Sequence, residues 1–564
     1  MRAPMSEPVR LSYRLTTRAS LERSWEVIAD TDRFNLAVGA GFRFESSVDE
    51  AGRSSVRGTM SRMGLELRWQ EEPFRFRKPH GFRVVRRFDN GPVRTLTASA
   101  ALAPAPDGGT VIDYVLEAEP RMGLLRPVVA LEMRASTAGP LEASLRALVA
   151  MLDEGGGGPE ESYLGPPPAL SKEVDRWLVE QSSKLGDARL AKRLVSFLRA
   201  APEREQARMN PFVLASAWGV PVEEATLHLI DAAAHGMLGI RLDLTCPACL
   251  VPRRELRPDQ QAPTEHCEGC GVALDPSFPE SLALHFCPSP RVRVPSLQIE
   301  CLGSPAQRPQ VHAQDLLAPG ESADLAVPLG PGTYRLRSQP AMDGGALLEL
   351  RPGEAQSEAS FVIGAGLRPA QLRLRSAPTS LVVRNATEAP VAVLLERLVQ
   401  PTPLMSLGRA RATFPALAEL VPRAGFFAAM ECVVGVALAA RFAEPDTAAR
   451  LARARVVHTS GDALLATYAE PAEALADVEA LLRSGQARLL LGLAEGQLYL
   501  HELGARRIPM GPAVDDAWRL ASTWARPGEA ALSHRAAGWP AQLALTQRAL
   551  DEQPASPLGA SLYA

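Results

Sequence analysis

The sequence predicts a multidomain α+β chain, and three observations carry that prediction. At 564 residues the chain is too long for one hydrophobic core, so about three to five domains are expected. The run Asp153-Glu154-Gly155-Gly156-Gly157-Gly158-Pro159 is a flexible linker, stiffened at its far end by Pro166-Pro167-Pro168, and it cuts off a first domain. Apolar patterns are also segregated along the chain: helical after the linker, strand-like over residues 294–400, and mixed at both ends.

Composition excludes more than it identifies. With 46% hydrophobic and 22% charged residues the chain is ordinary globular material. A net charge of -3 gives no reason to expect nucleic acid or an acidic membrane as partner. Lysine occurs only at Lys78, Lys172, Lys184 and Lys192, a bias that fits a GC-rich coding sequence. Met1 to Tyr13 carries no apolar leader. Gly425 to Ala440 is about 16 residues, short of the roughly 20 that span a bilayer, and Glu431 interrupts it. A buried helix running into a buried strand is expected there. No membrane span and a cytoplasmic location follow.

Residues 8–152 begin with Ser20 as an N-cap, and Leu21, Trp25 and Ile28 mark one face of a short helix. Alternating runs follow at Leu65 to Trp69 and Phe74 to Arg77, Asp89-Asn90-Gly91 signals a hairpin turn, and Thr110 to Glu117 reads as a strand. Leu141, Leu145, Leu148 and Leu152 form the stripe of a closing helix. Helix, antiparallel strands and a long final helix give a helix-grip order, which resembles the START-like, polyketide-cyclase-like superfamily. That resemblance implies a curled sheet around an apolar cavity and a hydrophobic small-molecule ligand. Trp25, Trp69, Phe74 and Phe76 serve equally well as plain core. No convergent polar group is visible in the sequence.

After the 153–169 linker, residues 170–245 read as helices over Val174 to Leu198, from Asn210 onward, and over Val222 to His235, then a strand over Ile240 to Leu244. This segment is winged-helix-like. Its recognition-helix position holds Glu223, Glu224 and Asp231 and no cation, so DNA is not the expected partner. In residues 246–293, Cys246-Pro247-Ala248-Cys249 and Cys267-Glu268-Gly269-Cys270, 17 residues apart, match a zinc ribbon. Four thiolates at Cys246, Cys249, Cys267 and Cys270 close a tetrahedral site with no position for water, so structural zinc is expected. His266 is expected to face solvent. Cys287, Cys301 and Cys432 are expected to be buried small hydrophobes. Residues 294–400 carry about eight short alternating runs between turns, the pattern of a β-sandwich.

Residues 412–550 alternate strands and helices in a ferredoxin-like order: a strand over Val433 to Leu438, a short helix over Glu444 to Arg453, and a hairpin around Ser460-Gly461-Asp462. A helix over Pro471 to Arg483, strands over Ala487 to Leu493 and Gln497 to Leu500, and a helix over Ala513 to Thr523 follow. Two stretches, Arg455-Val456-Val457-His458-Thr459-Ser460-Gly461-Asp462-Ala463 and Gly511-Pro512-Ala513-Val514-Asp515-Asp516-Ala517-Trp518-Arg519-Leu520, resemble the class III adenylate/guanylate cyclase domain, as does Arg526 to Ser533. In that family a 3′-hydroxyl attacks the α-phosphate with two Mg²⁺ held by two carboxylates. The resemblance places Asp462 at the second carboxylate and Arg519 at the transition-state arginine, with the first carboxylate near Ala437. The purine-reading lysine becomes His458, its aspartate partner falls near Ile508, and the transition-state asparagine becomes Asp515. Residues 401–564 contain neither Lys nor Asn, so no local realignment restores those groups. The domain is therefore expected to be a degenerate pseudoenzyme, with Asp462 and Arg519 as remnants and Mg²⁺ relevant only to residual activity. The chain reads as a signalling or regulatory protein that forms a homodimer or heterodimer through this domain. The alternatives are a residual adenylate/guanylate cyclase completed by a partner, and a lipid or small-hydrophobe binder.

Overall fold

A computed structural model describes residues 7–533 except 49–53, 63, 107, 156–163, 165–166, 247–251, 257–264, 268–271, 276–277, 279–280, 296–299, 340–344, 377, 399–403, 421–429, 461, 487, 504–505 and 526–528, together with 547–548 and 561–563. The chain divides into two compact units of mixed α and β structure. The first comprises residues 1–168, 199–205 and 296–397; the second comprises 169–198, 206–295 and 398–564.

The first unit opens with the strand Val9–Thr17, which pairs antiparallel with Thr110–Pro120; that strand pairs with Val93–Pro104, and Val93–Pro104 with Gly81–Phe88. Ser20 caps the helix Leu21–Ile28, its hydroxyl accepting from the Arg23 amide at 3.2 Å. Asp30 caps Thr31–Val38, which ends at Gly39 with φ of +70°, a conformation glycine adopts without steric cost. Asn90 fixes the hairpin turn, its side-chain oxygen accepting from the Arg68 amide at 2.9 Å. The closing helix Gly139–Asp153 buries Leu141, Leu145, Leu148 and Leu152 in the sheet's core with Ile112 and Tyr114. Its last residue, Asp153, accepts from the Thr17 hydroxyl at 2.6 Å and the Arg18 amide at 2.7 Å, and these bonds hold its carboxyl below the usual range.

The same sheet continues into the 296–397 segment. Arg75–Arg77 pairs with Val311–Leu317, and the path runs on through Val391–Arg397, Gly332–Gln339, Ala346–Arg351 and Gln371–Arg375. A second sheet of Ser322–Asp324, Pro378–Asn385, Glu358–Ile363 and Leu367–Arg368 shares a core with it, formed by Tyr334, Leu336, Phe361, Ile363, Leu381 and Val383.

In the second unit, the helical stretch expected over Val174 to Leu198 is two helices, Lys172–Ser182 and Ala188–Ala200. The break falls at Gly186-Asp187, where the Asp187 carboxylate accepts from the Leu190 amide at 3.0 Å and starts the second helix. Pro211–Trp218 and Val222–Ala234 follow. The strand Leu238–Thr245 pairs with Pro252–Leu256 and Leu282–Pro288, and Met405–Ser406 adds at the edge of the latter.

The C-terminal sheet of this unit is built on Met430–Arg441, longer than the strand expected over Val433 to Leu438; the helix expected to begin at Gly425 falls on residues 425–429, outside the described residues. It pairs with Ala463–Tyr468 on one side and with Leu490–Leu503 on the other. The two strands expected between Ala487 and Leu500 are one, because Met430–Arg441 supplies partners along its whole length, Gly435 lying opposite Gly496. The helix expected over Glu444 to Arg453 is reduced to a single 3₁₀ turn, Ala448–Arg450. Pro445 biases Glu444 away from helix, and the Thr447 hydroxyl is held by the Gln486 side chain at 3.0 Å. Among the described residues no helix is long and apolar enough to cross a membrane.

His312 gives the first unit a pH-dependent stability. Its ring packs edge-on against Tyr334 at 5.5 Å, and burial, then Lys78 and Arg397, lower its pKa from 6.5 to about 4. Between those values the unfolded chain binds the proton and the folded one does not. Stability from this residue is therefore complete above pH 6.5 and falls as pH drops toward about 4. Urea midpoints measured from pH 7 to 4 should decline less steeply in His312→Gln than in the unmodified protein.

Candidate functional site

Two places hold the candidate residues: the C-terminal sheet of the second unit and the interior of the N-terminal sheet in the first. In the C-terminal sheet they fall on the Val456–Ser460/Ala463–Tyr468 hairpin, the end of Met430–Arg441, and the helix Pro512–Arg519. One sheet face buries Val436, Leu438, Leu464, Leu491 and Leu493 against Leu475 and Val478 of the helix Pro471–Arg483. Pro512–Arg519 lies on the other face, so close that a Cβ at Gly492 would sit 2.2 Å from the Ala517 carbonyl oxygen. Only glycine permits that approach.

Asp462 sits in the hairpin turn, half-buried, and its carbonyl accepts from the Ala443 amide at 3.0 Å. Arg519 is the half-buried last residue of its helix. Neither side chain makes an ion pair or hydrogen bond among the described residues. The substituted positions are different. His458 is 5% exposed and stacks on Phe278, with ring centroids 5.9 Å apart and planes 23° apart. Phe278, with no exposed surface, also meets Trp518 edge-on at 5.3 Å. Asp515 is buried and accepts from the Ser406 hydroxyl at 2.7 Å; the same hydroxyl accepts from the Arg409 amide and caps Leu407–Thr413. Ile508 is buried in the strand Arg506–Met510.

Ala437 lies opposite Thr467, well along the strand from the hairpin turn. The strand end nearest Asp462 is Ala440 to Phe442, since Ala440 lies opposite Leu464 and Ala443 bonds to Asp462 itself. No carboxylate stands there. Arg441 does, 6% exposed, with its guanidinium 5.8 Å from the Trp518 ring centroid and 5.3 Å from that of Phe442. The next carboxylates, Glu444 and Asp446, are exposed, and Asp446 is paired with Arg450 at 2.5 Å.

Of the four ribbon cysteines, Cys246 directly follows Leu238–Thr245 and is fully buried. Cys267 ends the short strand Glu265–Cys267, opposite Val272 of Val272–Leu274. Cys249, Cys270 and the side chains of His266 and Cys267 lie outside the described residues. Cys287 and Cys301 are buried, but Cys432 is exposed, contrary to expectation. It lies on the outer stretch of its strand opposite Tyr499, beside exposed Glu431 and Val434.

Inside the N-terminal sheet the aromatic residues form two groups. Trp25 packs with Phe76 at 6.1 Å in the main core, whereas Trp69 packs with Phe42, Phe44 and Phe88 in a separate cluster. Beside the second group lies a polar pair that sequence reasoning missed: Arg86 Nε donates to Glu71 Oε2 at 2.9 Å, both residues buried. The signal was present, since in Gly81–Phe88 the inward positions are Phe82, Val84, Arg86 and Phe88.

Residues 174–300 match a family described as "Family of unknown function (DUF5939)". No curated protein matches the chain in sequence. Similar solved structures include the di-domain ARO/CYC StfQ from the steffimycin biosynthetic pathway, at 10% identity and TM-score 0.21 over 26% of this chain. The chain covers 52% of that protein, about half its length. A START superfamily protein from Mycobacterium smegmatis is similar at 15% identity and TM-score 0.20, over 25% of this chain and 98% of its own. The catalytic core of a rhodopsin-guanylyl cyclase in complex with ATPalphaS is similar at 14% identity and TM-score 0.21, over 24% of this chain and 97% of its own.

Phe278 packs on both His458 and Trp518, so its removal has a stability cost. Phe278→Ala should destabilise the second unit by about 3 kcal/mol, the usual scale for emptying a fully buried phenylalanine site, as read from urea unfolding followed by tryptophan fluorescence.

Proposed function

We propose that this chain is a signalling or regulatory protein whose C-terminal cyclase-like domain no longer cyclises nucleotides. The observation that carries the reading is Arg441, a buried cation at the strand end nearest Asp462, where no carboxylate stands among the described residues. A guanidinium there repels Mg²⁺ instead of holding it. The packing of His458 on Phe278, and the bond from Ser406 to Asp515, support the same reading, because both buried side chains are engaged by the protein itself. In this role the domain pairs with a second copy or with an active cyclase. The full-length protein, given ATP or GTP with Mg²⁺ or Mn²⁺, should yield no more cyclic product than its Asp462→Ala/Arg519→Ala variant. Product that the double substitution abolishes overturns the proposal and favours a residual cyclase.

We also propose that Cys246, Cys249, Cys267 and Cys270 hold one structural zinc ion. Four thiolates in two CxxC motifs suit that ion, and the antiparallel pairing of Glu265–Cys267 with Val272–Leu274 supports the reading. Elemental analysis of the full-length protein should give about one zinc per chain, and Cys246→Ser/Cys270→Ser should lose it. A metal content unchanged by that substitution contradicts the assignment.

A further inference from the structure

The outer face of the N-terminal sheet carries a polar groove of about 240 Å³. Phe82, Val84, Arg86 and Phe88 take the inward positions of Gly81–Phe88, so alternation turns Arg83, Val85 and Arg87 outward. Arg75 stands directly opposite Arg83 in the antiparallel register, and both line the groove. Side chains placed in this way have Cβ atoms about 5 Å apart, and like charges there repel. Such a pair calls for a counter-charge.

The neighbouring acids are committed elsewhere. Arg83 is exposed and makes no ion pair or hydrogen bond among the described residues. Arg75 has only the Asp315 carboxylate at 3.8 Å, and Arg77 already holds that carboxylate at 2.7 Å. Of the two acids that line the groove, Glu72 accepts from Arg87 at 2.6 Å. The other, Glu119, accepts from the Thr95 hydroxyl at 2.8 Å and pairs with Arg94 at 3.4 Å. The charges of Arg75 and Arg83 are therefore left over. Beside them the Thr97 hydroxyl also lines the groove, and it has no partner among the described residues.

We infer that this groove binds a small dianionic phosphate group, free or as the monoester of a small molecule, between the Arg75 and Arg83 guanidiniums, with the Thr97 hydroxyl as a further donor. A guanidinium presents its N–H groups in a rigid fork that matches phosphate oxygens. Two forks suit a doubly charged group, and the bound anion relieves the repulsion between them. A monoanion of the same shape leaves part of that charge uncovered. The groove lies on the face away from the sheet's apolar core, so it is separate from any ligand of the interior. It also stands whether or not the cyclase-like domain is inactive.

The test is calorimetric titration of the full-length protein with inorganic phosphate, phenyl phosphate and phenyl sulfate at fixed ionic strength. At about pH 8 a phosphate monoester carries close to two charges, whereas the sulfate ester has the same shape and one. Phenyl phosphate should bind about tenfold tighter than phenyl sulfate, the scale of one hydrogen bond to a charged group, and Arg83→Gln should lose about the same factor. Arg83 is exposed, so that variant keeps its fold. Arg146→Gln, on the closing helix and away from the groove, should bind like the unmodified protein. Inorganic phosphate binding as tightly as the ester supports the inference with free phosphate as the ligand, and weaker binding supports it with an ester. Equal binding of phenyl phosphate and phenyl sulfate, binding unchanged in Arg83→Gln, an equal loss in Arg146→Gln, or binding of neither phosphate overturns it.

Discussion

The three-residue strand Arg75–Arg77 is the constraint on which the first unit depends. An exposed strand edge would leave its amides and carbonyls unpaired. Here Phe76 and Arg77 pair with Gln314 and Ala313, and the Lys78 amide donates to the His312 carbonyl at 2.8 Å. The Gln314 side chain donates to the Phe74 carbonyl at 2.7 Å, and Arg77 reaches Asp315 at 2.7 Å. These contacts make one continuous sheet from two, and the neighbouring strand Val391–Arg397 shows the result. Its Ala392 and Leu394 join the core of the N-terminal sheet, while Val391, Val393 and Leu395 join the core of the second sheet pair. A strand buried on both faces carries an unbroken apolar run, which is how Val391 to Leu395 reads.

How much of this was legible depends on what each signal encodes. Caps and turns are local chemistry, so Ser20 and Asn90-Gly91 could be placed from the sequence alone. The stripe of Leu141, Leu145, Leu148 and Leu152 is a periodicity and was equally plain. Arg86 was missed for a different reason. Alternation says which face a residue takes but not what stands across the sheet, and only the register brings Glu71 opposite it. The strands expected over Ala487 to Leu493 and Gln497 to Leu500 join through Ala494 to Gly496 because pairing along all of Met430–Arg441 carries the chain through. Cys432 was misjudged by residue type, since a small apolar side chain on the outer part of a strand is not obliged to be buried.

The cyclase-like pocket shows the same limit from the side of resemblance. Motif comparison places the first carboxylate position near Ala437, which the register sets opposite Thr467. What only the register shows is which residues stand nearest Asp462, the Ala440 to Phe442 end, and that Arg441 is buried there.

The fates of the remaining positions are also unequal. Asp462 and Arg519, which match the resembling family, have no side-chain partner among the described residues. His458 and Asp515, which depart from it, are the ones built into the fold, one under Phe278 and the other bonded to Ser406. Ser406 belongs to the two-residue strand paired with Leu282–Pro288, and Phe278 lies four residues before that strand begins. His458 meets Phe278, and Asp515 meets Ser406 of the strand paired with Leu282–Pro288. Both side chains are part of the packing at these positions. Restoring lysine at 458 or asparagine at 515 would then disturb that packing before it could restore any chemistry.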